Sequence, residues 1–224
     1  MPLRAKRSNP KVTIKLPSPQ LKGEVSLEET ILRRRSVRRY RAEPLSLSQL
    51  SQILWSAQGI TGTSGFRAAP SAGATYPLEI FVFIGQQSII SSEVPIGSGQ
   101  ALKELQAGIY HYEADAHLLS LHKPADLRPD LARAALDQEF IIEAPVVIVI
   151  CALYDRTSRV YGRRGERYVN IEVGHVGENI HLQALALGLA TVEVGAFHDE
   201  EVRKVLGVDE QIKPLYIMPV GKAV

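Results

Sequence analysis

From Val146 to Leu153 no polar side chain interrupts the chain. A Val- and Ile-rich run of this kind is the pattern of a strand buried on both faces, so it is predicted to lie at the centre of a sheet. Leu78 to Ile84 predicts a second strand, and Ala190 to Val194 and Leu215 to Val220 two shorter ones. Gly108–Tyr112 and His117–His122 alternate apolar and polar residues around Glu113–Ala116, which predicts a β-hairpin. A different period governs Val169, Val173, Val176, Ile180, Ala184 and Leu187, spaced by three and four, and predicts one long helix from about Tyr161 to Leu187. Leu47, Leu50, Ile53, Leu54 and Ala57 share one face of a helix opened by Ser46 or Ser48 and stopped by Gly59. Ser26 with Glu29 forms a capping-box pattern that opens a short helix, Leu27 to about Arg35. Asp126 to Asp137 is predicted helical, as is Asp199 to Leu206, capped by Asp199 and closed by Gly207.

Helices and strands are thus mixed without the regular βα alternation of a doubly wound sheet, and the class is α+β. Residues 1–25, with Pro10, Pro17 and Pro19, predict an extended arm, and residues 26–224 a single domain. Residues 86–107 form a polar connector ending in a short helical piece, and Gly62 to Pro77 is a long loop rich in Gly, Ser and Thr. A loop of that length inside a compact domain is usually functional or mobile.

Composition narrows the function classes. Hydrophobic residues make up 45% of the 224 and charged residues 22%, which excludes global disorder. No run approaches the roughly 18 uncharged apolar residues of a membrane span, and the N-terminus lacks the apolar core of a secretory signal. A cytoplasmic protein with no membrane partner is expected. The lone Cys151 sits inside the apolar run, so neither a disulfide framework nor a thiolate metal cluster is predicted. A net charge of +2 argues against a dedicated nucleic-acid binder.

Three segments could carry chemistry. Arg33 to Arg41 holds six arginines in nine residues, which suits a solvated charged face, a nucleic-acid patch or a phosphate site, and the pattern alone leaves all three open. Pro70-Ser71-Ala72-Gly73-Ala74-Thr75-Tyr76-Pro77 is either a surface loop or a backbone that can approach a flat ligand closely. Glu193-Val194-Gly195-Ala196-Phe197 carries a strand end into small residues. Glu172-x-x-His175 and Glu178-x-x-His181 have the look of di-iron ligand pairs, but six residues at about 100° each turn one pair roughly 240° from the other. No metal is expected there, and these side chains are predicted to be interfacial or partly exposed. Arg156, Arg159, Arg163, Arg164 and Arg167 form a second basic run, read as a solvated face or a gate, and Gly97-Ser98-Gly99 is too short for a phosphate loop.

In their order, these segments resemble the FMN-dependent nitroreductase family. Its Arg-x-Ser-x-Arg/Lys signature is matched by Arg34, Ser36 and Arg38, followed by the Pro-Ser loop before a strand, a long helix ending Ala-x-x-Leu-Gly-Leu, and the small-residue turn. Leu16-Pro17-x-Pro19-x-Leu21-Lys22-Gly23 and Ser71-Ala72-Gly73-Ala74-x-x-Pro77-Leu78-Glu79 resemble the SagB-type branch of thiazole- and oxazole-forming dehydrogenases. The resemblance implies a nitroreductase-like fold, a mostly antiparallel sheet flanked by helices with a long central helix, in an intertwined homodimer with FMN at its interface. It implies a ping-pong reaction between NAD(P)H and a small nitroaromatic, quinone-like or other acceptor. Azoline dehydrogenation in peptide modification is the enzymatic alternative, and a non-catalytic flavin- or nucleic-acid-binding module the alternative of another class.

Carried over by position, the cofactor-binding set is Arg34, Arg35, Ser36, Arg38, Pro70, Ser71, Ala72, Gly73, Gly195, Ala196 and Lys222. Arg34 would hold the phosphate, Ser36 and Arg38 the ribityl chain and pyrimidine edge, and the Pro-Ser loop would reach FMN from the other subunit. A guanidinium at that edge stabilises the negative charge that reduction places there. The chain departs from the family in having Ala74 and Tyr76 where many relatives carry Asn and Gln, and Lys222 as the one late cation near the phosphate. The chemistry belongs to the flavin, so no catalytic side chain is assigned, and Tyr76 and the histidines are the candidates for a base.

Overall fold

The computed structural model describes residues 12–91 and 105–224. Strand β1 (Thr13–Lys15) is followed by helix α1 (Leu27–Arg33), the short β2 (Leu45–Ser46) and helix α2 (Leu47–Gln58). Ser46 is the cap that opens α2, in a full capping box with Gln49, and the helix stops at Gly59. Ser26 caps α1 through the Glu29 N–H, but Glu29 turns its carboxylate to Arg33 at 2.6 Å rather than back to the cap. A one-turn 3-10 helix, Ala72–Ala74, precedes β3 (Leu78–Ile84) and β4 (Ile89–Ile90). The hairpin is β5 (Gly108–Glu113) with β6 (Leu118–Lys123), followed by α3 (Arg128–Ala134), α4 (Phe140–Glu143) and β7 (Val146–Ala152). The chain closes with α5 (Tyr154–Tyr161), α6 (Arg164–Ala186), β8 (Ala190–Thr191), α7 (Asp199–Leu206) and β9 (Lys213–Gly221).

Seven strands form one antiparallel sheet in the order β1-β6-β5-β3-β7-β9-β8. Successive side chains of a strand point to opposite faces, and β3 divides its apolar residues accordingly. Ile80, Val82 and Ile84 join the core under α2 and α6, while Phe81 and Phe83 face α3, α4 and α7. On β7, Ile148 and Ile150 face one side, and Val147, Val149 and Cys151 the other, all fully buried. This two-sided burial is why the run reads as uninterrupted apolar sequence. The result is the expected α+β architecture, a sheet with helices on both faces and α6 as its long helix. Each fully buried Ile or Val contributes about 1.5–3 kcal/mol.

Some expectations are corrected. The helix predicted from about Tyr161 to Leu187 is α6, which starts three residues later, because Gly162 at φ 57° and ψ −141°, a region open to glycine but not to other residues, closes the separate helix α5 before it. Gly165 then lets α6 lie against α5, since a Cβ there would stand 2.7 Å from Ser158 Cα. Helix α7 takes His198, not Asp199, as its cap residue, with no side-chain cap bond; Asp199, Glu200 and Glu201 instead crowd its positive end. The parallel β2–β4 pair and the short α4 carried no local signal. The helical piece of the 86–107 connector and Gly97-Ser98-Gly99 fall on residues outside the described set. Among the described residues no helix is long and apolar enough to cross a membrane.

Candidate active site

The arginine segment begins where α1 ends, with the Arg34 N–H bonded to the Thr30 carbonyl. From there the chain is extended and is tied down from several sides. His181 of α6 hydrogen-bonds the Arg35 carbonyl at 3.2 Å, and the Val37 N–H donates to Thr191 of β8 at 3.0 Å. The Tyr40 hydroxyl donates to the Val37 carbonyl at 2.6 Å, and burial pushes its phenol far above the usual range. Arg34 is half-buried and Arg35, Ser36 and Arg38 are exposed. Among the described residues none of these three arginines has a carboxylate within ion-pair distance, so their charge is available to an anion. Lys222 lies at the far end of the segment, where its ammonium is held by Glu43 at 2.6 Å.

The Pro-Ser loop stands beside the other half of α6. Gly73, Ala74 and Tyr76 all have positive φ, at 59°, 52° and 43°. For Ala74 and Tyr76 that conformation costs on the order of 1–3 kcal/mol each, and strain of this kind collects at functional loops. Several bonds hold it in place. The Ser71 hydroxyl accepts from the Tyr76 N–H at 3.0 Å, and Thr75 shares a 2.7 Å hydrogen bond with Thr157 of α5. The Arg67 guanidinium lies 4.4 Å over the Tyr76 ring, and Arg156 donates to the Tyr76 carbonyl at 2.9 Å. A Cβ on Gly73 would meet the Tyr161 hydroxyl at 2.7 Å.

Beneath this loop lie two buried groups, Glu172 of α6, which the sequence offered only as half of a metal-ligand pair set aside, and Gln58 of α2, which it did not single out. Glu172 Oε1 and Gln58 Nε2 lack hydrogen-bond partners, although Ser71 and Gln58 both lie close enough to favour the charged carboxylate. Burial outweighs them and pushes the Glu172 carboxyl above the usual carboxylate range. Of the four side chains predicted to be interfacial or partly exposed, Glu172 and His181 are buried within the chain, while His175 and Glu178 are exposed.

The third segment leaves the sheet after Val194, which is bonded in both directions to Ile217 of β9. Gly195 and Ala196 are exposed, and a Cβ on Gly195 would meet nothing nearer than Tyr216 at 3.7 Å, so the turn forms an open shelf. Gln138 anchors it through the Ala196 carbonyl at 2.9 Å. Where β9 crosses α6, Gly177 brings the helix to Tyr216 and Glu193.

All three predicted segments thus lie along α6, but at different heights. Glu172 under the loop and His181 under the arginine segment are nine residues apart, about 14 Å along a helix axis. A cleft of about 450 Å³ opens beside the loop, lined by Gln58, Arg67, Tyr76, Glu79, His111 and Arg156 among others. There Glu79 binds Arg156 at 2.5 Å and His111 at 2.6 Å; burial pushes its carboxyl up, but those two partners hold it below the usual range. Long-range pairings of this kind leave no trace in local sequence.

Comparison with known proteins agrees with this picture. The profile of the nitroreductase family matches residues 31–222. A protein of Methanocaldococcus jannaschii that carries a nitroreductase name is 45% identical over 201 residues, 90% of this chain and 93% of the relative. A trifolitoxin operon protein of Rhizobium leguminosarum bv. trifolii is 26% identical over 226 residues, covering 98% of this chain and 62% of that protein. Among solved structures, a nitroreductase of Ralstonia eutropha superposes with a TM-score of 0.77 at 25% identity, covering 100% and 98% of the two chains.

Proposed function

The chain belongs to the nitroreductase family, and from that premise we propose that this oxidoreductase uses FMN, works as a homodimer, and passes electrons between NAD(P)H and a small nitroaromatic, quinone-like or other acceptor by a ping-pong cycle. The observation that carries this reading is the alignment of the arginine segment, the Pro-Ser loop and the Gly195–Ala196 shelf along one helix.

The residues present fit FMN. Arg34, Arg35 and Arg38 offer guanidiniums without carboxylate partners for a phosphate, and Ser36 an exposed hydroxyl beside them. The shelf at Gly195 and Ala196 is open enough for a planar ring, and in the loop Pro70 and Gly73 are exposed and Ser71 and Ala72 half-buried. Buried polar groups without partners occur at both ends, Gln58 and Glu172 under the loop and Thr191 beside the arginine segment. Bound FMN supplies the hydride chemistry. The chain's part is to bind, orient and exclude water. Arg38 places positive charge where reduction would put negative charge, and the Arg67–Tyr76 stack shapes the cleft in which an acceptor would sit.

A second copy of the chain completes the site in this reading. In this reading a partner brings its Pro-Ser loop to the arginine segment of the first protomer, as the family resemblance implies. Leu27, Ile31 and Leu32 of α1, Val160 of α5 and Ile171 of α6 are exposed apolar residues that supply the contact.

The test is a visible spectrum of freshly purified protein, identification of any released chromophore, and anaerobic addition of NADH or NADPH. Near-stoichiometric FMN bleached by either nucleotide is expected. Protein that is colourless and takes up no added FMN would overturn the reading. Azoline dehydrogenation is a second reading, supported by the resemblance of the Leu16–Gly23 and Ser71–Glu79 segments to the SagB-type branch; FMN that neither nucleotide bleaches would shift the assignment to it.

A further inference from the structure

We propose that His181 is a positioning residue whose imidazolium form clamps the backbone of the arginine segment to α6, so that the segment loosens its hold on a phosphate when the ring loses its proton. The choice of phosphate ligand rests on the FMN reading above; the clamp itself rests on geometry.

His181 is 2% exposed, and each of its ring nitrogens faces an acceptor. Nδ1 lies 2.7 Å from Glu193 Oε1, and Nε2 lies 3.2 Å from the Arg35 carbonyl oxygen. A neutral imidazole has one N–H, and a backbone carbonyl can only accept. Either neutral tautomer therefore turns a ring lone pair onto an oxygen lone pair, at Glu193 or at Arg35. The imidazolium, with two donors, satisfies both. A proton on Glu193 would serve the same bond, but that carboxyl is held low: burial pushes it up, and the hydrogen bond and charge of His181, with Arg34 farther off, outweigh burial. In the proposed clamp the ring carries the proton.

The charged groups around the ring come from three elements. Glu193 approaches from the turn after β8, and Glu178 from α6 itself, with ligating atoms of Glu178, His181 and Glu193 all within 4.8 Å of one another. Arg34 acts on Glu193 from the arginine segment.

The clamp matters because of where the Arg35 carbonyl sits. It lies between Arg34 and Ser36, and from the helical bond of Arg34 to the Val37–Thr191 bond it is, among the described residues, the one backbone group hydrogen-bonded to another element, the Arg34 carbonyl accepting only from the neighbouring Arg35 side chain. Without the second ring proton the one remaining N–H stays on Nδ1, where the Glu193 carboxylate is the stronger acceptor, and the Arg35 carbonyl is left facing a ring lone pair. The segment keeps its arginines but loses their fixed direction.

The experiment follows ring protonation and segment order together. The His181 ring nitrogens are read by long-range proton–nitrogen NMR across the range in which imidazoles titrate. Over the same range, FMN affinity is measured by flavin fluorescence, and amide exchange of Val37 is measured in protein free of FMN. Loss of the ring proton is expected to weaken FMN about tenfold, the effect of one charge-assisted hydrogen bond, and to speed Val37 exchange. Glu193→Gln supplies an amide donor to neutral Nδ1, so it is expected to keep the affinity and abolish the step. His181→Asn is expected to behave at every pH like the deprotonated wild type. If Val37 exchange ignores His181 titration, or Glu193→Gln keeps the wild-type pH step, the proposal fails. Stoichiometric divalent metal lost in His181→Asn would also overturn it, since a cation could take the proton's place. Absence of FMN binding would sink the cofactor reading and leave the exchange test of the clamp intact.

Discussion

Glu172→Gln replaces a buried carboxyl with an amide of the same shape and probes the floor of the Pro-Ser loop. Burial pushes the Glu172 carboxyl above the usual range, partly offset by Ser71, Gln58 and Arg67. A carboxyl raised in the folded state contributes its full stability below its unfolded value and loses it as pH rises through the folded value. The wild type therefore loses stability at this site on going from acid to neutral and alkaline pH, and the amide does not titrate. In the ionised state Glu172 Oε1 has no donor, and a buried polar group without a partner costs about 1–3 kcal/mol. The Gln variant removes that charge and can donate to the Ser71 hydroxyl, for a net gain of about 1 kcal/mol. For a chain of this size that is a rise of about 2–4 °C in Tm, present at the alkaline end and absent at the acid end, where the carboxyl is neutral. Thermal unfolding of the FMN-free protein by circular dichroism at both ends measures it. A Tm difference of the same size at both ends, or a loss at the alkaline end, would refute the account of Glu172 as a strained buried carboxyl.

Other changes test the site and its frame. Arg34→Ala should weaken FMN binding about 10- to 100-fold with little effect on the far-UV spectrum, since it removes a charge-assisted contact from a segment outside regular structure; unchanged affinity would remove Arg34 from the phosphate site. Ile31→Arg, on the exposed face of α1, should convert a dimer to monomer in light scattering and release FMN with it, and a dimer that persists would place the interface elsewhere. Gly165→Ala should cost about 1–2 kcal/mol in urea unfolding, because the clash with Ser158 outweighs the roughly 1 kcal/mol that Ala gains over Gly in a helix. A gain in stability would mean that α5 and α6 can separate freely.

The sequence alone determined what depends on near neighbours. Strands β3 and β7 were legible as apolar runs, and the β5–β6 hairpin and the long helix because their periods, two and 3.6, are written into side chains a few residues apart. The resemblance to the nitroreductase family was legible for a related reason: Arg34, Ser36, Arg38, the Pro-Ser loop and the Gly195 turn keep their order along the chain. The tertiary structure decided what depends on distant partners. That Gly162 divides α5 from α6, that Leu45–Ser46 pairs in parallel with Ile89–Ile90, and that β1 forms the sheet edge are outcomes of packing rather than of propensity. So are the buried groups of the site. Glu172 Oε1 became a buried oxygen without a partner under the loop, and His181 came to lie between Glu193 and the Arg35 carbonyl, the latter 146 residues away in the chain. A charge's environment is set by every atom within a few ångströms, whatever its sequence number, and only the folded chain brings those atoms together.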